Sequence, residues 1–340
     1  MFQCLGSFLS VAITIFIVEL RRRRRDKIPV LLLTDIGRDI DDTLALISIA
    51  GYSDYIQLVG VIATGGNGRA RANLARAWLD KLNLGHVKVC KCLADGKGEI
   101  VFPPFLNRVS SPRNETDTRT LISDLLRKHS HSLRIVAISP LSPLLPLVKE
   151  ENTLNLLRTN THSIWIQGQI VEHRNSLILP DVQNAYNLRV DEDASRQVFE
   201  KLQHDVPFRL LGKHAAYQVS LTPQDFASFD MIFPHMSNMA KNFLLPFRNR
   251  RPELFRKLYG SLNNTSSDDN WLENLNALSH PYDAALIVAL VHDCVLRKVR
   301  FSTRHKYIGN SADTVLTKDH ADLVHKELIR TIKKGLSKCM

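Results

Sequence analysis

Four aspartates near the start of the chain have the clearest potential for chemistry. They are Asp35, Asp39, Asp41 and Asp42, and they fall within eight residues between apolar runs at 29–33 and 44–49. Like charges this close repel one another, so a cation, the amino end of a helix or protonation of a carboxyl must offset the repulsion. Carboxylate oxygens are the ligands that calcium and magnesium prefer. The cluster therefore predicts a site for a hard divalent cation, and the alternative is an acidic cap on a solvated turn.

The flanking apolar runs predict the elements that position this cluster. A short apolar run bounded by turn residues is typical of a buried parallel strand, and Gly37 indicates a tight turn before a helix. Further strands are predicted at 56–63, 87–92, 132–138, 163–169 and 206–212, and further helices at 69–82, 118–128, 191–201 and within 313–338. This alternation predicts an α/β fold with a mainly parallel, Rossmann-like central sheet flanked by helices. Open sheets of this kind bind ligands at the carboxyl ends of their strands.

The composition fits one large α/β domain in a reducing compartment. The chain has 340 residues, of which 44% are apolar, enough for a sizeable core. The net charge is +11, but five of the positive charges lie in Arg21–Arg25, so the remaining surplus predicts no nucleic-acid partner. The five cysteines include no CxxC pair, which is typical of a cytoplasmic protein.

Residues 1–27 predict an amino-terminal extension that precedes the domain at 28–340. The apolar stretch 5–18 is shorter than the roughly 20 residues that a membrane-spanning helix needs. It also lacks the basic leader and cleavage site of a signal peptide. We expect weak membrane association through residues 2–25, with the run Arg21–Arg25 keeping the domain in the cytoplasm.

The aspartate cluster resembles the signature of the inosine–uridine-preferring nucleoside hydrolase family, Asp-x-Asp-Pro-Gly-x-Asp-Asp followed by an apolar helix. This chain departs from that signature at three places. Leu33 stands at the position of the first aspartate, Ile36 replaces the proline, and two additional residues separate Gly37 from the pair Asp41–Asp42. The longer form Asp-Ile-Gly-x-Asp-Ile-Asp-Asp resembles a divergent branch of the same superfamily.

The resemblance spans residues 29–300 and implies the nucleoside hydrolase fold, a metal site and a hydrolytic reaction. The implied metal ligands are Asp35, Asp42, Asp283 and the backbone carbonyl of Ser139, with calcium expected and magnesium less favoured. Asp35 would also take a proton from a metal-bound water that attacks the N-glycosidic bond of a ribonucleoside. Positive charge would develop on the ribose in the transition state, and the products would be ribose and the free base. We also expect a homo-oligomer.

Further residues match the family's substrate contacts only in part. The implied substrate-binding residues are Asp41, Asn67, Asn184 and Asn187, although asparagine is also common in turns. Asp39 is the alternative to Asp41 if the insertion is aligned differently, and Asp293 is the weaker alternative to Asp283. Ala185 replaces a glutamate near the ribose 5′-hydroxyl, and Tyr282 replaces a histidine that protonates the leaving base. Tyrosine is a weaker acid than histidine near neutrality, so we expect slow release of purines through a catalytic Tyr282.

Two other classes of function are compatible with these residues. A catalytically weak nucleoside- or ribose-binding protein on the same fold would account for Ala185 and Tyr282. A magnesium-dependent phosphohydrolase would use the carboxylates, but it needs an Asp-x-Asp pair that the residues Leu33-Thr34-Asp35 do not supply. The basic and aromatic segment 231–259 predicts either a lid over the cleft or, with more weight, a solvent-facing helix pair.

Overall fold

The computed structural model describes residues 27–92, 100–101, 103, 105–106, 117–173, 177–260, 271–299 and 302–340. The predicted extension at 1–27 therefore lies outside the described residues, apart from Lys27. Within the described ranges, no helix combines the length and the apolar character needed to cross a membrane.

The strands form one large sheet and one small hairpin. They are β1 (Ile28–Thr34), β2 (Ile56–Ala63), β3 (Lys88–Lys91), β4 (Leu133–Ala137), β5 (Thr161–Gln167), β6 (Ile170–Glu172), β7 (Ile178–Pro180), β8 (Phe208–Leu211), β9 (Arg297–Val299) and β10 (Ser302–Ile308). The large sheet has the order β3-β2-β1-β4-β5-β8-β10-β9, and β6 pairs with β7. Neighbouring strands of the large sheet are parallel except for β9 and β10. The chain runs outward from β1 through β2 and β3, then places β4 on the other side of β1, which creates a topological switch point there.

Helices cover both faces of the sheet. The α-helices are α1 (Asp41–Gly51), α2 (Gly68–Lys81), α3 (Thr118–Lys128), α4 (Leu145–Lys149), α5 (Glu151–Asn160), α6 (Tyr186–Val190), α7 (Glu192–Leu202), α8 (Lys213–Ala216), α9 (Pro223–Asp230), α10 (Met236–Arg250), α11 (Pro252–Tyr259), α12 (Tyr282–Val291) and α13 (Lys318–Leu336). Short 3₁₀ turns occur at Ser142–Leu144, Tyr217–Val219, Trp271–Asn274, Asp293–Val295 and Ala312–Thr314.

Strand β1 shows why its sequence is an uninterrupted apolar run. Val30 and Leu32 belong to one core with residues of α1, α2, α12 and α13, whereas Leu31 and Leu33 belong to a second core with residues of α3, α5 and α7. Successive side chains point to opposite faces of a strand. A strand that is buried on both faces must therefore be apolar at every position.

The predicted α/β fold with a mainly parallel sheet is confirmed. The helix α3 and the strand β2 have the predicted bounds, and β3, β4, β5, β8, α2 and α7 begin and end within two residues of their predictions. The sequence does not predict β9 and β10, because basic residues occupy much of both segments, RKV and STRHKYI. Of the two, only β9 is an edge strand, where charged side chains are common and discourage pairing with other chains.

Helix α1 begins at the aspartate pair and is held by close packing against α13. A Cβ atom at Gly51 would lie 2.0 Å from the carbonyl oxygen of Thr331, and a Cβ atom at Gly335 would lie 2.1 Å from the carbonyl oxygen of Ile47. The two helices therefore approach to backbone contact, and only glycine fits at either position. The carboxyl-terminal helix thereby fixes the helix that carries part of the aspartate cluster.

The substitution Gly335→Ala tests this packing. The added methyl group would push α13 away from α1, and we expect the free energy of unfolding to fall by about 1–3 kcal/mol, measured by urea denaturation. Gly85→Ala is the matched control, because Gly85 is exposed and its added Cβ would meet only the side chain of Asp80 at 3.0 Å. We expect the control to change stability by less than about 0.5 kcal/mol. An equal loss of unfolding free energy in the two variants would contradict the backbone contact between α1 and α13.

Candidate functional site

A cavity of about 1060 Å³ opens at the carboxyl ends of the parallel strands. Segments that follow five of the strands contribute to its wall, including Asp35 after β1, Gly65 after β2, Ile138 after β4, Gly168 after β5 and Lys213 after β8. The wall spans the switch point between β1 and β4, where open α/β sheets bind ligands. The cavity therefore lies at the edge of the sheet where the sequence predicts a ligand site.

Four buried carboxyl groups meet in this cavity: Asp35, Asp41, Asp42 and Asp283. Asp39 also lines the cavity but is exposed. One carboxylate oxygen from each of Asp39, Asp41 and Asp42 lies within 4.8 Å of the other two. The alternative of a solvated acidic cap is wrong, because the carboxylates at the start of α1 are buried and no side chain caps that helix. The cluster could hold a metal ion.

Burial and mutual repulsion shift the protonation of these groups. Burial raises the pKa of Asp35 to about 7, and the nearby Arg71 guanidinium opposes this rise only in part. Burial and the neighbouring carboxylates hold the pKa values of Asp41, Asp42 and Asp283 well above their usual range. A bound cation would favour the ionised carboxylates and so reverse the direction of these shifts.

The end of β1 and the start of α1 are tied together locally. The Thr34 hydroxyl donates to Oδ1 of Asp42 and accepts from the backbone N–H of Ile36 at 3.2 Å. Gly37 has φ of 106°, a left-handed conformation that favours glycine. The turn therefore directs the carboxyls on either side of the two-residue insertion into one cavity.

Arg71 is a site residue that the sequence analysis missed. It lies on α2 with 2% of its surface exposed. Its guanidinium donates to the carbonyl oxygens of Asp35, Ile36 and Gly66, the last two at 2.8 Å. It thereby joins the turn after β1 to the turn after β2. The available signal is an arginine on the otherwise apolar face of the helix predicted at 69–82.

Asp283 and Asp293 lie in different surroundings. Asp283 is buried in the wall of the cavity, where Asp41 contributes a hydrogen bond to it. Asp293 pairs with Lys306 and lies 3.6 Å from Nε of Arg209, outside the wall. The structure therefore brings Asp283, and not Asp293, to the aspartate cluster.

Ser139, the residue predicted to offer a backbone carbonyl to the metal, lies beside the cavity wall. Ile138 lines the cavity, whereas Ser139 is buried outside the wall. The carbonyl oxygen of Ile138 accepts from Nδ2 of Asn187 at 3.1 Å, and the same nitrogen donates to Oε1 of Gln167 at 3.1 Å. A backbone ligand leaves no side-chain signal, so the sequence could not distinguish neighbouring positions.

The predicted substrate-binding asparagines separate into two groups. Asn184 and Asn187 line the cavity with the aspartates. Asn67 is not among the residues of the wall, although Gly65 of the same turn is. It stands just before α2 with φ of 49°, a left-handed conformation. Asparagine tolerates this conformation in turns. The placement therefore fits the alternative that Asn67 is a turn residue.

Tyr282 lies in an aromatic wall of the cavity. Its ring centroid is 5.9 Å from that of Tyr217 and 6.2 Å from that of His280, and the His280 ring is 5.0 Å from that of Tyr259. Burial raises the pKa of Tyr282, and Tyr217 raises it further. The Tyr282 phenol therefore keeps its proton near neutrality and acts as a hydrogen-bond donor and an apolar surface.

His280 is the histidine that lines the cavity among the described residues. Both of its ring nitrogens already have hydrogen-bond partners. Nε2 donates to the carbonyl oxygen of Leu258 at 2.8 Å, and Nδ1 accepts from the Ser220 hydroxyl at 2.6 Å. Burial lowers the pKa of His280. The ring is therefore held neutral and in one orientation.

The segment 231–259 forms the turns that follow α9, and then α10 and α11. One face of α10 is buried, including Phe243 and Leu244, and these residues together with Pro246 and Phe247 line the cavity. The helix pair is therefore part of the cavity wall and is not solvent-facing on all sides.

Comparison with known proteins identifies the family. The model for inosine-uridine preferring nucleoside hydrolases matches residues 30–326. The chain belongs to this family. A search of curated proteins found no match.

Solved structures of similar fold include an effector and two hydrolases. The type III effector protein XopQ, complexed with adenosine diphosphate ribose, is 23% identical with a TM-score of 0.74, over 94% of this chain and 98% of that chain. The purine-preferring ribonucleoside hydrolase from Gardnerella vaginalis is 17% identical with a TM-score of 0.61, over 91% and 99%. The inosine-uridine preferring nucleoside hydrolase from Bacillus anthracis is 14% identical with a TM-score of 0.55, over 90% and 99%. At these identities the likeness shows the fold.

The substitution Arg71→Gln tests how the nucleoside hydrolase cavity is assembled. Glutamine cannot reach all three carbonyl groups and removes the buried positive charge, so we expect the free energy of unfolding to fall by about 3 kcal/mol. Urea denaturation measures this change. Arg127→Gln is the control, because Arg127 is exposed and its ion pair with Asp124, at 3.5 Å, lies on the surface. An Arg71 variant as stable as the control would show that the guanidinium does not hold the two turns.

Proposed function

We propose that the protein hydrolyses the N-glycosidic bond of ribonucleosides, giving ribose and the free base. The observation that carries this proposal is the set of four buried carboxyl groups that lines a cavity at the strand ends, in a chain of the nucleoside hydrolase family. Carboxylates without a partner are costly to bury. A site of this kind is therefore expected to serve binding or catalysis.

Calcium fits this donor set. Asp35, Asp42, Asp283 and the carbonyl of Ile138 offer only oxygen atoms, which hard divalent cations prefer. Magnesium is the less favoured ion, because it demands a stricter octahedral arrangement than calcium. When bound, the ion would lower the pKa of a water molecule and bind ribose hydroxyls.

The remaining polar groups have roles that follow from their positions. Asp35 would accept the proton of the attacking water as general base. Asp41 would accept a hydrogen bond from a ribose hydroxyl, and Asn184 and Asn187 offer amide groups that can both donate and accept. Asn67 lies outside the described wall, so its predicted ribose contact has no support from its placement.

The aromatic wall would contact the base. Tyr217, Tyr259 and Tyr282 line the cavity, and aromatic rings offer faces on which a base can stack. Tyr282 would donate a hydrogen bond to the departing base. Because its pKa is raised, we expect it to be a poor proton donor and the release of purines to be slow.

A second candidate is a protein that binds a ribonucleoside or an adenosine diphosphate ribose-like ligand with little turnover. The observation in its favour is that Ala185 and Tyr282 both lie in the wall. By the resemblance, these positions match a glutamate and a histidine of the family. The XopQ structure is a complex with adenosine diphosphate ribose. This candidate shares the cavity and the cation, and differs only in the chemical step.

The substitution Asp35→Asn tests the proposed hydrolysis. We expect ribose release from a panel of ribonucleosides, measured with added calcium, to fall by at least about 100-fold because the general base is lost. Asp124→Asn is the matched control, since Asp124 is exposed on α3 and outside the cavity wall. The control is expected to keep the wild-type rate.

Two results would contradict this proposal in different ways. No ribose release from any nucleoside by the folded, calcium-loaded wild type would remove the hydrolase function and leave the binding protein. Undiminished release by the Asp35→Asn variant would remove the role of this carboxylate.

A further inference from the structure

The charges in the cavity wall are unevenly distributed. The carboxylates come from residues 35–42 and from Asp283. The other described segments of the wall, at 167–217 and 243–259, contribute no carboxylate, but they contribute Lys213, Arg250 and Arg251. The acidic groups are mostly buried, whereas the two arginines are exposed. The cavity therefore has an acidic interior and a basic rim.

Arg38 adds to this rim from the turn after β1. Its guanidinium carbon lies 4.1 Å from the centroid of the Tyr186 ring. Stacking on a ring face orients a guanidinium and leaves its in-plane N–H groups directed to other acceptors. Arg38 is thus held at the cavity in a form suited to paired hydrogen bonds with two oxygens of a multiply charged anion.

Lys213 reaches the same short segment from the end of β8. Its Nζ lies 3.5 Å from the carbonyl oxygen of Asn184, a neutral acceptor. Ala185, the next residue, also lines the cavity and offers no charge. Arg38 therefore contacts Tyr186 and Lys213 contacts Asn184. The two side chains bring two positive charges to either side of Ala185 in one part of the wall.

We infer that this part of the wall binds the phosphate of a nucleoside 5′-phosphate or 5′-diphosphate, with Arg38 and Lys213 as its cationic partners. The inference rests on the proposed function, because it places the ribose at the aspartates as proposed above. An anionic group is repelled by the acidic interior and attracted by the rim, and phosphate oxygens form strong hydrogen bonds with arginine and lysine. The volume of about 1060 Å³ suits a ligand larger than a nucleoside, since pockets for drug-sized ligands span roughly 300–1,000 Å³.

Calorimetric titration with adenosine, adenosine monophosphate and adenosine diphosphate, at fixed free calcium, tests this assignment. We expect the diphosphate to bind at least about tenfold more tightly than adenosine. In the variants Arg38→Gln and Lys213→Gln, this ratio is expected to fall by about tenfold, and Lys213→Arg is expected to restore it because the charge is retained. Lys201→Gln is the matched control, since Lys201 is exposed on α7 and outside the wall.

The results that would overturn the inference differ from those that would overturn the proposed function. Equal affinities for adenosine and its diphosphate in the wild type would remove the phosphate site and leave the nucleoside site. Inorganic pyrophosphate binding as tightly as the diphosphate would show a general anion site and would also contradict the inference. A folded protein that binds neither adenosine nor the diphosphate would contradict the proposed function itself.

Discussion

The burial of four carboxyl groups around one cavity is the constraint on which the rest of the structure depends. Asp35, Asp41, Asp42 and Asp283 are each less than a tenth exposed, and their pKa values are raised by burial and by one another. Without a cation, these carboxyl groups either keep their protons or, when ionised, repel one another. Such a cluster is understandable if a ligand normally supplies positive charge. In the proposed reaction the metal ion does so, and so does the charge that develops on the ribose in an oxocarbenium-like transition state.

The fold supports this cluster by bringing distant segments to the same edge of the sheet. The switch point between β1 and β4 opens the crevice, and α12 delivers Asp283 from a position more than two hundred residues along the chain. Arg71 ties two strand-end turns together through three carbonyl groups. The glycine contact between α1 and α13 fixes the helix that begins at the aspartate pair. These supports are rigid elements, which suits a site whose oxygen atoms must stay close together despite their repulsion.

The sequence predicted the parts of this arrangement that are local. The apolar run 29–33 and the acidic turn are contiguous, so their periodicity and charge predict both β1 and the site at its end. The contribution of Arg71 was not predicted, because an arginine on an apolar helix face becomes meaningful only when the carbonyl groups of another turn lie beside it. The ligand carbonyl predicted at Ser139 stays a prediction, because Ile138 and not Ser139 lines the cavity and a backbone ligand has no side-chain signature that would distinguish them. The contacts of Arg38 with Tyr186 and of Lys213 with Asn184 likewise depend on tertiary structure, because these segments are far apart in the chain.

Calcium binding and its effect on stability show whether the buried carboxyl groups form a cation site. We predict that the wild type binds calcium and gains about 2.7 kcal/mol of unfolding free energy at a calcium concentration 100 times the Kd. We also predict that Asp283→Asn is at least as stable as the wild type without calcium, because one repelling carboxylate is gone, and that this variant gains much less when calcium is added. Denaturation of both proteins with and without calcium measures these quantities. A wild type that neither binds calcium nor is stabilised by it would contradict these predictions, and so would an equal gain in the two proteins.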